Sequence, residues 1–110
     1  MKRSWVWVSG AVFLAVAPVA AAGEDFKLVI HDHKFEPAEL HLPAGQKVKV
    51  LVQNLDAGPE EFESYTLSRE KIVPGHGSTT VFLGPLKPGR YEFFGEFHKE
   101  TALGAVVVEK

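Results

Sequence analysis

The sequence of 110 residues contains no cysteine and only one methionine. Small exported domains often rely on disulfides because their cores are marginal, so this chain has to depend on apolar burial, for which its eight phenylalanines supply large side chains. The absence of cysteine also excludes a lipid-modified anchor and a thiolate metal ligand. Any metal site in the chain therefore uses oxygen and nitrogen donors.

The first part of the sequence has no acidic residue. Lys2 and Arg3 precede an apolar run from Trp5 to Val19, and small residues follow at 20–22. This pattern predicts a signal peptide over residues 1–22 and a mature domain over 23–110. The competing interpretation is an uncleaved anchor, but the run is short for a membrane span, which takes about 20 apolar residues. We expect a periplasmic protein that is not inserted in the membrane after cleavage.

The mature chain has no excess of positive charge. The full sequence has a formal net charge of −2, and removal of residues 1–22 takes away two basic residues and no acid, which leaves −4 on 88 residues. A mildly acidic domain has no general attraction for nucleic acid or anionic lipid. Cations are the more natural partners.

Helical periodicity is also absent beyond Ser68–Ile72, which is compatible with one helical turn. Short segments with period-2 alternation lie between Pro, Gly and Asn turn signals, as expected for strands. The predicted strands are Phe26–Ile30, Leu40–Leu42, Val48–Val52, Phe62–Leu67, Ser78–Leu83, Arg90–Phe97 and Leu103–Glu109. About seven strands in this length favour an all-β Greek-key sandwich.

The order of four motifs resembles the cupredoxin family. Phe35–Pro37 matches its early Phe-x-Pro, and Pro43–Gly45 matches a Pro-Ala-Gly turn before a Val-rich strand. Asn54–Pro59 corresponds to the loop before the first metal ligand, and Pro88–Phe93 to the Pro-Gly-x-Tyr-x-Phe strand that enters the ligand loop. The resemblance covers nearly all of residues 26–109 and implies a cupredoxin-like sandwich.

The ligand positions depart from the blue-copper pattern of that family. Glu60–Ser64 stands where the first histidine is expected, Gly95 stands in place of the cysteine, and Ala102–Gly104 lacks the methionine. Only the later histidine is kept, as His98. Because a blue-copper centre depends on a copper–thiolate bond within a His₂Cys set, blue-copper electron transfer is excluded.

Three segments resemble one particular group within the cupredoxin family. Glu60–Ser64, Arg69–Lys71 and Gly95–His98 are similar to the small periplasmic cupredoxin-like components of bacterial ferrous-iron uptake systems of the Efe type, including stand-alone relatives beside an iron permease. The resemblance implies that the protein binds iron or copper, assists iron oxidation and delivery, and has the permease or another uptake component as its partner. No nucleophile–base pair is visible, so we do not expect a conventional enzyme.

The resemblance brings several loops to one end of the sandwich. It implies a metal site formed by Glu61, Glu63, Glu96, His98 and His33. Carboxylates with one or two imidazoles suit iron, manganese and copper ions. Of the other histidines, His31 is brought to the same end and is a weaker candidate than His33, and we assign no role to His41 or His76.

It is open which face of the glutamate segment, residues 60–63, carries the metal ligands. Glu61 and Glu63 share one strand face, and Glu60 shares the other with Phe62. Alignment with the family's first histidine favours Glu60 as the metal ligand. Two carboxylates on one face can clamp an ion together, which favours Glu61 and Glu63. We choose Glu61 and Glu63 as ligands and keep Glu60 in reserve.

The candidate ligands also have an interpretation that involves no metal. The glutamates are compatible with an acidic edge strand that blocks aggregation, and His33 with a polar loop residue. The alternative function is a metal-free interaction module whose sandwich end docks on a transporter or another partner.

Overall fold

Nine strands make up almost all of the regular structure in the computed structural model, which describes residues 25–110. The predicted signal peptide lies outside the described residues. The strands are β1 (Asp25–His31), β2 (Lys34–Glu36), β3 (Glu39–Pro43), β4 (Val48–Asn54), β5 (Glu60–Ser64), β6 (Arg69–Val73), β7 (Ser78–Leu83), β8 (Gly89–Gly95) and β9 (Leu103–Glu109). A single 3₁₀ turn, Glu96–His98, follows β8. Within 25–110, no helix has the length and apolarity needed to cross a membrane.

The strands form two sheets that pack face to face. One sheet has the order β2-β1-β4-β7, and the other has the order β3-β9-β8-β5-β6. β1 pairs with β4 and β3 with β9 in parallel, while the remaining pairs are antiparallel. The predicted all-β sandwich is confirmed.

Two strands were not predicted. β2 has only three residues, too few for a clear alternation. β6 includes most of Ser68–Ile72, for which a helical turn was considered; that prediction is wrong, because Arg69 to Val73 pair antiparallel with β5. β6 is an edge strand with only Val73 buried, so its sequence lacks the apolar pattern of a core strand.

The core lies between the two sheets and contains a cluster of three aromatic rings. Phe35 packs edge-on against Phe93, with ring centroids 5.0 Å apart, and Phe62 lies 5.0 Å from Phe93. All three are at most 3% exposed. Burial of Phe62 fixes the phase of β5, because side chains alternate along a strand: Glu60 and Ser64 also point inward, whereas Glu61 and Glu63 point outward.

Candidate metal centre

Glu60 is a buried carboxylate at the start of β5, with only 1% of its surface exposed. Its Oε1 accepts hydrogen bonds from the backbone N–H groups of Glu61 (3.0 Å) and Phe97 (2.9 Å). Its Oε2 lies 2.5 Å from Nδ1 of His98. Burial of a charge is costly unless the charge is paired and hydrogen-bonded, and here both oxygens have partners. The carboxylate therefore ties β5 to the segment that follows β8.

His98 is positioned by this carboxylate at the end of the 3₁₀ turn. With Glu60 as an acceptor, Nδ1 of the ring is the donor, and the neutral imidazole then keeps Nε2 free to accept. The side chain is 30% exposed, so the ring is anchored on its inner side and reaches solvent on the other. A histidine held by a carboxylate in this way is the usual arrangement of an imidazole metal ligand.

His33 lies directly against His98. The two rings are stacked, with centroids 3.6 Å apart and planes 12° from parallel. His33 belongs to the turn between β1 and β2, where both Asp32 (φ 52°) and His33 (φ 58°) have left-handed backbone conformations. Such conformations are uncommon for residues other than glycine, although Asp and His adopt them more often than most, and two in a row are held here by support from a neighbouring segment.

Asp56 supplies this support. Its two carboxylate oxygens accept the backbone N–H groups of Asp32 and His33, each at 2.9 Å. These bonds, that of His33 first, hold the pKa of Asp56 below its usual value of 3.8. The sequence did not single out Asp56; the only local signal is an acidic residue in a turn-rich loop, and its partners are 23 and 24 residues away.

A depression of about 480 Å³ brings several polar side chains together at this end of the sandwich. His33, Glu96, His98 and Glu100 all contribute to its wall. Two imidazoles and two carboxylates are donors of the kind that suit a borderline transition-metal ion. Their ligand atoms are not gathered within 4.8 Å of one another in this structure, so sharing one ion requires these side chains to move.

Glu61 and Glu63 lie on the other face of β5, outside this depression. Together with Glu70 of β6 they offer carboxylate oxygens within 4.8 Å of one another, so this acidic cluster (Glu61, Glu63 and Glu70) could hold a metal ion. Partial burial raises the pKa of Glu61, and the charges of Glu70 and Glu96 raise it further. Glu70 was missed because β6 was not predicted.

Glu96 lies between the histidine depression and the acidic cluster. It lines the depression with the histidines and forms an ion pair with Lys99 at 3.2 Å. Partial burial raises the pKa of Glu63, and so does the hydrogen bond that its protonated form donates to the neighbouring Glu96 carboxylate. The structure thus divides the five predicted ligands: His33, His98 and Glu96 share the depression, while Glu61 and Glu63 belong to the acidic cluster. Glu60, held in reserve by the sequence, is the glutamate that contacts His98.

The residues at this end do not fit a blue-copper centre. Gly95 occupies the position of the cysteine, and a Cβ atom added there would lie 2.6 Å from Cδ of Glu60 and 2.6 Å from Cβ of Ala102. Contacts this short do not occur between well-packed atoms. The Glu60 carboxylate therefore takes up space that a cysteine side chain would need, and the thiolate cannot be replaced from elsewhere in a chain without cysteine.

Comparisons with known proteins agree with this fold. A protein-family model described as a cupredoxin-like domain matches residues 4–108. The protein RP394 of Rickettsia prowazekii (strain Madrid E) is 48% identical over 84 residues, which are 76% of this chain and 67% of that protein.

Solved structures are similar at lower identity. The metal binding domain of the Cu(I)-exporting P-type ATPase CopA of Streptococcus pneumoniae D39, solved with Cu(I), has a TM-score of 0.69 and 14% identity over 78% of this chain and 85% of that one. Auracyanin A, a "blue" copper protein of Chloroflexus aurantiacus, has a TM-score of 0.66 and 15% identity over 77% and 98%. At such identities the likeness shows the fold alone. The family itself is shown by the family model, which matches most of the sequence: this chain belongs to the cupredoxin-like domain family.

Proposed function

We propose that this protein is an exported, periplasmic metal-binding protein that holds a transition-metal ion through His98 and His33 and serves iron uptake. The observation that carries the proposal is the contact of 2.5 Å between Glu60 and Nδ1 of His98, with His33 stacked on the same ring. The carboxylate orients His98 so that Nε2 is the nitrogen left to bind a metal. The stacked His33 ring is a second imidazole close by, and it has to turn out of the parallel stack to share an ion with His98, because imidazole lone pairs lie in the ring plane. Glu96 and Glu100 supply oxygen donors in the same depression.

Copper is the metal that these donors favour. Imidazole binds copper, iron and zinc, and at a given site Cu(II) binds more tightly than Fe(II). Both solved relatives described above are named for copper. Within iron uptake, the protein either binds iron itself or holds copper that assists iron oxidation, and an iron permease or another uptake component is its partner. A bound copper ion would supply one-electron chemistry, whereas the chain supplies the imidazoles, their orientation and the surrounding negative charge.

The test is calorimetric titration of the purified protein with Cu(II), Fe(II) under anaerobic conditions and Mn(II). We expect saturable binding of Cu(II) that is lost in His98→Ala and His33→Ala. His41→Ala is the matched control, since it removes an exposed imidazole whose ion-pair partners among the described residues are Glu39 and Glu109, away from the histidine depression. Unchanged binding in His98→Ala would contradict the proposal. Loss of binding only in Glu61→Gln and Glu63→Gln would assign the metal to the acidic cluster instead.

One observation favours the second candidate, a metal-free interaction module. Among residues 25–110, every buried side-chain nitrogen and oxygen has a hydrogen-bond partner, so this end of the sandwich needs no metal to satisfy its buried polar groups. A thermal melt with and without metal separates the two functions. Metal at about a hundred times its Kd stabilises a binding protein by about 2.7 kcal/mol, whereas an interaction module shows no shift.

A further inference from the structure

The outer face of the five-stranded sheet carries an apolar groove that no element within residues 25–110 covers. Its volume is about 730 Å³, and its apolar wall includes Tyr65, Phe94 and Leu103. Tyr65 is 73% exposed and Leu103 is 54% exposed, and the rings of Tyr65 and Phe94 lie 5.3 Å apart. Exposed apolar side chains that are grouped in this way mark interaction surfaces, whereas single ones need no explanation.

The groove continues directly into the acidic cluster. Glu70 pairs with Glu63, Glu63 with Phe94, and Phe94 with Leu103, in register across β6, β5, β8 and β9. Neighbouring strands are about 4.8 Å apart, so this row of four residues spans about 14 Å. One half of the row is anionic and the other half is apolar.

Ion pairs among the described residues leave most of the negative charge along this face uncompensated. Of the cations near the row, Arg90 pairs with Glu39 at 2.7 Å and Lys99 pairs with Glu96 at 3.2 Å, and the Lys99 ammonium also lies 6.0 Å from the centre of the Phe94 ring. Within residues 25–110, no cation forms an ion pair with Glu63, Glu70 or the adjacent Glu92 of β8. A complementary partner therefore brings positive charge to one half of the row and an apolar side chain to the other.

From this arrangement we infer that the row Glu70–Glu63–Phe94–Leu103, with Tyr65, is the docking site for a basic segment of a partner protein that carries a large apolar side chain beside lysine or arginine. The apolar side chain fills the groove beside Phe94, and the cationic groups contact the acidic cluster. Opposite potentials at such a surface accelerate encounter and fix orientation, and the attraction is weakened by salt.

The docking site is adjacent to the candidate metal centre but does not depend on it. Lys99 contributes to the walls of both the groove and the histidine depression. A partner bound at the row would therefore lie beside His98, one residue away from Lys99 in sequence. The test is made on protein treated with chelator, so that its outcome is independent of the metal proposal.

The experiment is an NMR titration of the ¹⁵N-labelled protein with a short synthetic peptide of lysines and tryptophans. A matched peptide has glutamate in place of every lysine. We expect shifts of the amides of the row with the basic peptide only, and binding that weakens as salt is added. Leu103→Ser, and separately Glu63→Gln with Glu70→Gln, should each weaken binding by about tenfold, or about 1.4 kcal/mol.

Two control variants remove comparable groups elsewhere. Phe82→Ser removes an apolar side chain that is 48% exposed on the other sheet, and Glu36→Gln removes an exposed charge on β2; both should bind the basic peptide like the wild type. The inference is overturned if the basic peptide does not bind, if the acidic peptide binds equally well, or if the row variants behave like the controls. Self-association of the protein through the same row, seen as concentration-dependent mass by light scattering, would also overturn it, because a second copy would then be the occupant.

Discussion

The carboxylate of Glu60 and the imidazole of His98 approach to 2.5 Å, and this contact closes the end of the sandwich where the family's metal ligands are expected. Glu60 also accepts the N–H groups of Glu61 and Phe97. One buried side chain thus connects β5 with the 3₁₀ turn after β8, and it does so in the space that Gly95 leaves open.

Replacement of Glu60 should be strongly destabilising. Glu60→Ala leaves His98 and two backbone N–H groups without their acceptor, and each buried donor left unsatisfied costs about 1–3 kcal/mol. Glu60→Gln keeps the shape and one acceptor oxygen, so we expect a loss of about 1–3 kcal/mol. Urea denaturation measures both. Glu61→Gln, on the outer face of the same strand, is the control and should not destabilise; equal effects at positions 60 and 61 would contradict the role of the buried carboxylate.

A side chain at position 95 should also be costly. Gly95→Ala places a Cβ atom 2.6 Å from both Glu60 and Ala102, and such overpacking typically costs about 1–3 kcal/mol. Gly58→Ala is a suitable control because no atom outside its chain neighbours lies within 4 Å of the added Cβ. Thermal denaturation should show a clear decrease in Tm for the first variant and little change for the second. A wild-type Tm for Gly95→Ala would show that Glu60 and Ala102 can move aside.

The Asp56 carboxylate should stabilise the His33 turn in a pH-dependent way. Because its pKa in the folded state is below the usual 3.8, its contribution is fully present above that value and is lost as the pH falls through the lower folded pKa. Asp56→Asn should therefore lower the free energy of unfolding at neutral pH and weaken Cu(II) binding. The difference from the wild type should shrink in acid.

Asp32→Asn is the control for this prediction. The Asp32 side chain is 78% exposed and lies 3.6 Å from His31, so its replacement should leave the stability nearly unchanged. A constant difference between Asp56→Asn and the wild type at all pH values would show that the carboxylate charge is not what supports the turn.

The acidic cluster should change the stability with pH in the opposite direction from Asp56. Partial burial and neighbouring carboxylates raise the pKa of Glu61 and Glu63 above the usual 4.5. The folded state therefore binds these protons more tightly than the unfolded state, and stability falls as the pH rises through the window between 4.5 and the raised values.

Glu61→Gln and Glu63→Gln should consequently increase Tm at neutral pH, with a gain that disappears as the pH falls below 4.5. Glu36→Gln, an exposed charge on β2, should give no comparable gain. A lower Tm of the Glu61 and Glu63 variants at neutral pH would contradict the prediction that repulsion between these carboxylates reduces the stability of the folded state.

Most of the fold was predictable because its strands have one buried face. Alternation along β4 follows Val48, Val50 and Val52, all of which are buried. β2 and β6 were not predicted, since three residues in one case and an exposed edge in the other leave no periodic apolar signal. The contact between Asp56 and the turn at Asp32 and His33 was equally invisible, because it joins residues that are far apart in the chain.

The sequence by itself determined that no sulfur ligand is available from cysteine and that Glu60 points away from the face shared by Glu61 and Glu63, since both follow from residue identity and the two-residue period of a strand. Only the tertiary structure decided which of these faces is buried beside His98. The reason is that the packing of Phe62 against Phe35 and Phe93 turns one face of β5 into the core, and the energy of that choice lies in contacts between the two sheets and not within the strand.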